Sequence, residues 1–125
     1  MDPDEDGLTR EVLGAAMEVH SALGAGFQER TYENAMAVEL GLRGVPFERQ
    51  VPVDLRYKGV CVGEGRMDLL VEGRLVVELK AVESLHDAHR DQVLSYLHAS
   101  THRIGLLINF HGPNIKSSTK RVVVD

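Results

Sequence analysis

The chain has 125 residues, 43% hydrophobic and 26% charged, proportions ordinary for one globular domain with its own core. Fourteen Lys and Arg against nineteen Asp and Glu leave a formal net charge of −5, which excludes a protein that coats nucleic acid by bulk electrostatics. No apolar run is long enough to span a bilayer, the acidic start lacks a secretory pattern, and one cysteine excludes an internal disulfide, so a cytoplasmic location is the expectation.

Residues 1–7 read as a disordered acidic lead-in to a single domain over 8–125. Thr9 is suited to cap a first helix that carries Val12, Leu13, Ala16, Met17, Val19, Ala22 and Leu23 at mostly helical spacing. Gly24 and Gly26 stop it. A second helix runs through QERTYENAMAVELGLRG to Gly44, with Tyr32, Ala35, Met36, Ala37, Val38 and Leu42 as its apolar side.

From Val45 the period changes to that of strands: VPFERQVPVDLRY, a Lys58-Gly59 turn, VCVGEGRMDLLV, a turn around Gly73, and LVVELKAV. Cys61 reads as a small buried residue in the second of these strands. A third helix follows over SLHDAHRDQVLSYLHAS, with Ser84 as cap, Asp87 in a capping-box position, and Leu85, Ala88, Val93, Tyr96 and Leu97 on one side. RIGLLINF is a nearly all-apolar strand fit for the middle of a sheet covered on both faces, and a basic stretch leads to a last strand, VVV. The order α-α-β-β-β-α-β-β predicts an α/β (α+β) fold, a mixed central sheet flanked by helices. The helical crossover between VELK and GLLINF predicts a parallel, right-handed connection.

Side chains alternate across a strand, so Val76, Glu78, Lys80 and Val82 share one face, and Leu75, Val77, Leu79 and Ala81 share the core face. Arg66, Asp68 and Leu70 share a face of the preceding strand. A two-residue Glu72-Gly73 loop sends Asp68 and Glu78 to opposite faces, whereas a three-residue loop ending at Arg74, or a bulge, sets them opposite each other. Two carboxylates about 4 Å apart repel by roughly 4 kcal/mol at an effective dielectric near 20, and a divalent cation compensates for it. Two carboxylates with a backbone carbonyl and waters form a hard-oxygen site suited to Mg²⁺ or Mn²⁺, and Lys80 is placed to orient a water or to stabilise charge on a phosphate. The same D…ExK spacing also describes a plain surface hairpin with Glu78 and Lys80 in solvent.

Gln92 and Tyr96 lie one turn apart on the third helix, an amide and a phenol on one face. Glu29 and Glu33 lie one turn apart at the start of the second helix, where carboxylates are also favourable in their own right. GFQERTY fits the pattern G-x-x-E-x-x-Y. Together with ERQVPVDLRYKG, GEGRMDLLVEGRLVVELKAVESL, HRDQVLSYL, GLLINF and KRVV, it resembles the small bacterial GxxExxY proteins over nearly the whole chain after the lead-in. That family is assigned to the PD-(D/E)xK nuclease superfamily, and the order of acid, ExK and QxxxY is similar to its RecB-type branch. The resemblance implies a restriction-endonuclease-like core and metal-dependent hydrolysis of a phosphodiester, as in a DNA nuclease, by water activated on Mg²⁺ or Mn²⁺. It implies Asp68 and Glu78 as metal ligands and Lys80 as the catalytic lysine. Gln92 and Tyr96 then supply the helix motif and Glu29 the helix acid, with Glu33 as the alternative.

His20, near the end of the first helix, reads as partly buried and bonded to the turn that follows; the resemblance adds it as a site-lining residue. The other histidines read as solvent-facing, since no four zinc ligands cluster. GAG and GEG read as turn or bulge glycines. Arg66, Arg90, Lys116, Lys120 and Arg121 are the basic candidates for phosphate contacts, DNA before RNA, and the contact is local because the net charge is acidic. Two other classes stay open at this point: a nuclease-fold binding module without turnover, for nucleic acid or protein, and a structural homo-oligomer, with a homodimer as its simplest form.

Overall fold

A computed structural model describes residues 7–124; the acidic lead-in before Gly7, and Asp125, lie outside the described residues. The helices are α1, Leu8–Leu23, α2, Glu29–Leu42, and α3, Asp87–Ser100. The strands are β1, Phe47–Tyr57, β2, Val60–Val71, β3, Leu75–Lys80, β4, Ile104–Asn109, and β5, Thr119–Val123. The chain therefore follows the expected α-α-β-β-β-α-β-β order.

The helix ends differ from expectation. Gly7, not Thr9, is the N-cap of α1, and Thr9 is buried inside the first turn. α3 starts after His86 rather than at Ser84, because the His86 N–H donates to His89 Nδ1 at 3.0 Å and satisfies the helix start itself. The apolar faces are narrower than composition suggests. On α2, Tyr32, Met36 and Leu40 form the buried i, i+4 stripe, and Val38 and Leu42 project into solvent. On α1, Met17 and Leu23 are exposed for the same reason, beside a stripe of Leu8, Val12, Ala15, Ala16 and Val19.

Among the described residues five strands form one mixed sheet in the order β1-β2-β3-β4-β5, with only β3 and β4 parallel, as the helical crossover requires. β4 is buried at every position, in keeping with its interior place between β3 and β5. α1 and α2 cover one face over Leu69, Val71, Leu75, Val77, Leu79, Ile104 and Leu106. α3 covers the other through Val93 and Leu97 against Leu70, Val76, Leu107 and Val122. Both faces of β3 are thus core, and Val76 is as buried as its neighbours.

Two local features set the geometry of the site. The β2–β3 loop has three residues, since Val71 pairs with Leu75 across Glu72, Gly73 and Arg74, with Glu72 and Gly73 at positive φ. That register, Leu69 with Val77 and Leu70 with Val76, continues to Asp68 opposite Glu78. The other is a crossing of faces in the long β1–β2 hairpin. Phe47 packs on the α1–α2 side, yet Val51, Val53 and Leu55, of the same parity, pack on the α3 side. On β2 the change falls between Leu69 and Met67. Strict alternation forbids this, and the backbone permits it because Gln50 lies in the left-handed region, φ 50°, and the Gln50–Asp68 pair drops out of the ladder. Arg66 consequently does not share the Leu70 face as alternation predicts; Met67 does, and Arg66 is exposed.

Cys61 is corrected as well. It is exposed near the hairpin tip, where β1 and β2 extend beyond the helices, and it is not a core residue. Of the GEG pair, Gly63 adjoins the register shift at Leu55–Arg56, as a bulge glycine does, and Gly65 lies in regular ladder opposite Val53.

Candidate functional site

Asp68 and Glu78 meet where β2 and β3 part. The backbone ladder between these strands ends at Leu69–Val77, and beyond it the two carboxylates take over. The Asp68 N–H donates to Glu78 Oε1 at 3.2 Å, and the Leu79 N–H donates to Asp68 Oδ2 at 2.8 Å. Each acid thus satisfies a backbone donor that the divergence of the strands would leave bare.

Electrostatically the pair is strained without a counter-charge. Glu78 is 3% exposed, and burial, then the neighbouring Asp68 charge, push its carboxyl up from 4.5 to about 9; the Asp68 N–H and the Lys80 ammonium pull the other way. Lys80, two residues on, shares the parity of Glu78 and is half-buried. The strand end that carries it is clamped by Asn109, whose Nδ2 donates to Val82 O at 2.9 Å and whose Oδ1 accepts from Val82 N at 3.1 Å.

A second set of contacts reaches the pair from α2. Glu33 is 9% exposed, with Oε2 accepting from Arg49 Nε at 2.9 Å and Oε1 accepting from Gln50 Nε2 at 2.6 Å. The same Gln50 nitrogen donates to Asp68 Oδ1 at 3.3 Å. Of the two helix acids, Glu33 is therefore the one joined to Asp68. Glu29 is exposed in the first turn of α2, with no hydrogen bond or ion pair among the described residues.

In the motif around Glu29 it is Tyr32 that has a defined place. It is fully buried, its hydroxyl donates to Gly24 O at 2.5 Å, and its ring stacks on Phe110 at 4.5 Å, fastening the start of α2 to the chain just past β4.

On α3, Tyr96 packs against Gly65 of β2, leaving no room there for a side chain, whereas Gln92 is exposed and makes no hydrogen bond among the described residues. Arg66 donates to Gln50 O at 3.3 Å and pairs with Glu64. Lys120 lies in the same cross-strand row as Glu78, through Leu107, two strands away. Arg121 falls on the opposite face of β5 by alternation, Arg90 is exposed on α3, and Lys116 lines a separate cleft beside Met17, His20 and Asn114. His20 is half-buried as expected, but its ring bonds Gly112 O at 3.0 Å on the β4–β5 connection, not the turn that follows α1.

Three participants were missed by the sequence reading: Arg49, Gln50 and Asn109. A polar ERQ run entering a strand and an asparagine ending the apolar GLLIN run were the available signals. A groove of about 920 Å³ lies between outer β1 and the C-terminal half of α3, lined by Val53, Leu55, Met67, His98 and His102 among others, and Asp68, Glu78 and Lys80 are not among its lining residues.

Among the described residues no three of His, Cys, Asp and Glu converge as a metal cage. Two adjoining carboxylates still suit Mg²⁺ or Mn²⁺, since Mg²⁺ is commonly held by one or two carboxylates together with waters and substrate phosphates. No helix among the described residues is long and apolar enough to cross a membrane. A family model described as PD-(D/E)XK nuclease superfamily matches residues 6–122. Neither the curated proteins nor the solved structures contain a match to the chain.

Proposed function

The chain belongs to the PD-(D/E)XK nuclease superfamily, and on that premise we propose that it is a metal-dependent phosphodiester hydrolase acting on DNA. The observation that carries this reading is the meeting of Asp68 and Glu78 at the parting of β2 and β3, with Lys80 one pleat further on. A buried carboxyl raised to about 9 beside a second carboxylate is a poor structural element and a good cation site. Within the superfamily we group the chain with the GxxExxY proteins, on Gly26, Glu29 and Tyr32.

In this reading Asp68 and Glu78 hold Mg²⁺ or Mn²⁺, which supplies Lewis acidity to water and neutralises phosphate charge. Lys80 stabilises the negative charge that develops on the phosphate. Tyr96 and Gln92 contact the substrate from α3, and Glu33, rather than Glu29, is the helix acid of the site. Arg66 and Lys120 are the phosphate contacts with the best positions, and binding is local because the chain is acidic overall. All of these groups come from one chain, so the reading needs no homodimer. The cytoplasm, where the substrate is, is the proposed location.

Calorimetric titration with Mn²⁺ tests the ligands: wild type binds, and Asp68→Ala and Glu78→Ala do not. Labelled DNA and RNA incubated with Mn²⁺ then test turnover, with cleavage by wild type and loss of at least a hundredfold in rate in Lys80→Ala, of the order of one general acid–base or electrostatic contribution. A wild type that binds no Mn²⁺ would sink the enzyme reading. Binding without cleavage of any of these substrates would favour the silent binding module.

A further inference from the structure

Gln50 belongs to none of the acid, ExK or helix motifs, yet it touches two carboxylates at once. Its Nε2 lies 2.6 Å from Glu33 Oε1 and 3.3 Å from Asp68 Oδ1. An ionised carboxylate only accepts, so the amide must turn its NH₂ toward both, and its two hydrogens match the two oxygens. An amide also carries no charge to titrate, and can hold two acids near each other without neutralising either.

The backbone at this position argues that the side chain is kept for a purpose. At φ 50° Gln50 is in the left-handed region, where glycine or asparagine is the cheaper occupant. Its own carbonyl is held by Arg66 Nη1 at 3.3 Å, and the adjoining Arg49 holds the other oxygen of Glu33 at 2.9 Å. Gln50 is thus anchored through its main chain and through Glu33 before it reaches Asp68. Asp68 in turn is held at two points, Oδ1 by Gln50 and Oδ2 by the Leu79 N–H at 2.8 Å. Two fixed points set the rotation of a planar carboxylate.

We propose that Gln50 is a positioning residue for Asp68, one that fixes the rotation of its carboxylate beside Glu78 and ties that rotation to α2 through Glu33. The inference rests on the reading of Asp68 and Glu78 as the pair that holds a divalent cation. Its effect is on the geometry offered to the ion, as for other groups that orient metal ligands from behind.

Gln50→Gly is the variant of choice, since glycine adopts the left-handed conformation freely and the amide is lost with the rest of the side chain. A thermal melt verifies that it folds. Two readouts follow. The Leu79 backbone amide proton, bonded to Asp68 Oδ2, reports the carboxylate by NMR without any metal; it should move upfield and exchange faster in Gln50→Gly, while the amides of Val76 and Leu107 stay unchanged. The Kd for Mn²⁺ should weaken by roughly 10–100-fold, the usual range for loss of a group that orients a ligand. An unchanged Leu79 amide in the folded variant overturns the proposal, and so does a Kd equal to wild type. A wild type that binds no Mn²⁺, with a Leu79 amide that still responds, overturns the metal reading of the site and leaves Gln50 as the residue that sets Asp68. Should Gln50→Gly fail to fold, Gln50→Asn gives the same readouts, because asparagine tolerates the left-handed region and is one methylene too short to reach both acids.

Discussion

Glu78 holds a proton that solvent would remove. Its carboxyl titrates near 9 in the folded protein against 4.5 for the free side chain, because burial and Asp68 disfavour the charge. Between these values the folded state binds one more proton than the unfolded state, so the stability of the cation-free protein falls as pH rises through that window and levels off above it. The Tm without divalent ions should therefore decline from about pH 5 to about pH 9, and Glu78→Gln, which imitates the protonated form, should flatten the decline. An equal slope in both proteins would place the titrating group elsewhere. Asp68, Glu78 and Lys80 were legible as a pattern because strand alternation and short loops are local rules. Gln50 was not, and Glu33 entered only as the alternative helix acid, since their meeting depends on one left-handed residue between elements that sequence spacing does not relate.

The β1–β2 hairpin and α3 act as one unit through a close approach. A Cβ at Gly65 would lie 2.8 Å from Tyr96 Cζ and 2.9 Å from its hydroxyl, so glycine serves here to admit the ring. Gly65→Ala should cost about 1–3 kcal/mol in chemical denaturation, the usual penalty for overpacking. Tyr96→Ala in the same chain should remove part of that penalty, because residues in contact couple; strictly additive losses would show that the clash lies elsewhere. The same element holds the main errors of sequence reading. Parity predicts one face for Arg66, Asp68 and Leu70, and the hairpin crosses the sheet at Gln50 and Asp68 instead. Cys61 lies beyond that crossing, where the strands have passed the helices and an apolar sequence remains in solvent.

For the whole molecule, a cation that binds the folded state alone should stabilise it by mass action. At 100 times its Kd the gain is about 2.7 kcal/mol, which for a domain of this size raises Tm by roughly 10 °C. The rise should be larger at alkaline pH, where no proton competes for Glu78, and absent in the Asp68→Ala, Glu78→Ala double variant. A Tm indifferent to Mn²⁺ and Mg²⁺ in wild type would argue against a cation at this pair.

The sequence by itself determined the order of elements, the parallel β3–β4 connection, the buried β4 and the candidate acids, because hydrophobic period, turn residues and crossover length act over a few residues at a time. It left the register as two alternatives, since a loop of two or three residues reverses which face every side chain takes. Tertiary structure decided that question for three residues, chose Glu33 over Glu29 as the acid linked to Asp68 through Gln50, and turned the hairpin over at Gln50. Those choices rest on contacts between residues 10 to 18 positions apart, such as Glu33 with Gln50 and Gln50 with Asp68, whose geometry exists only once the sheet has twisted and the helices have packed.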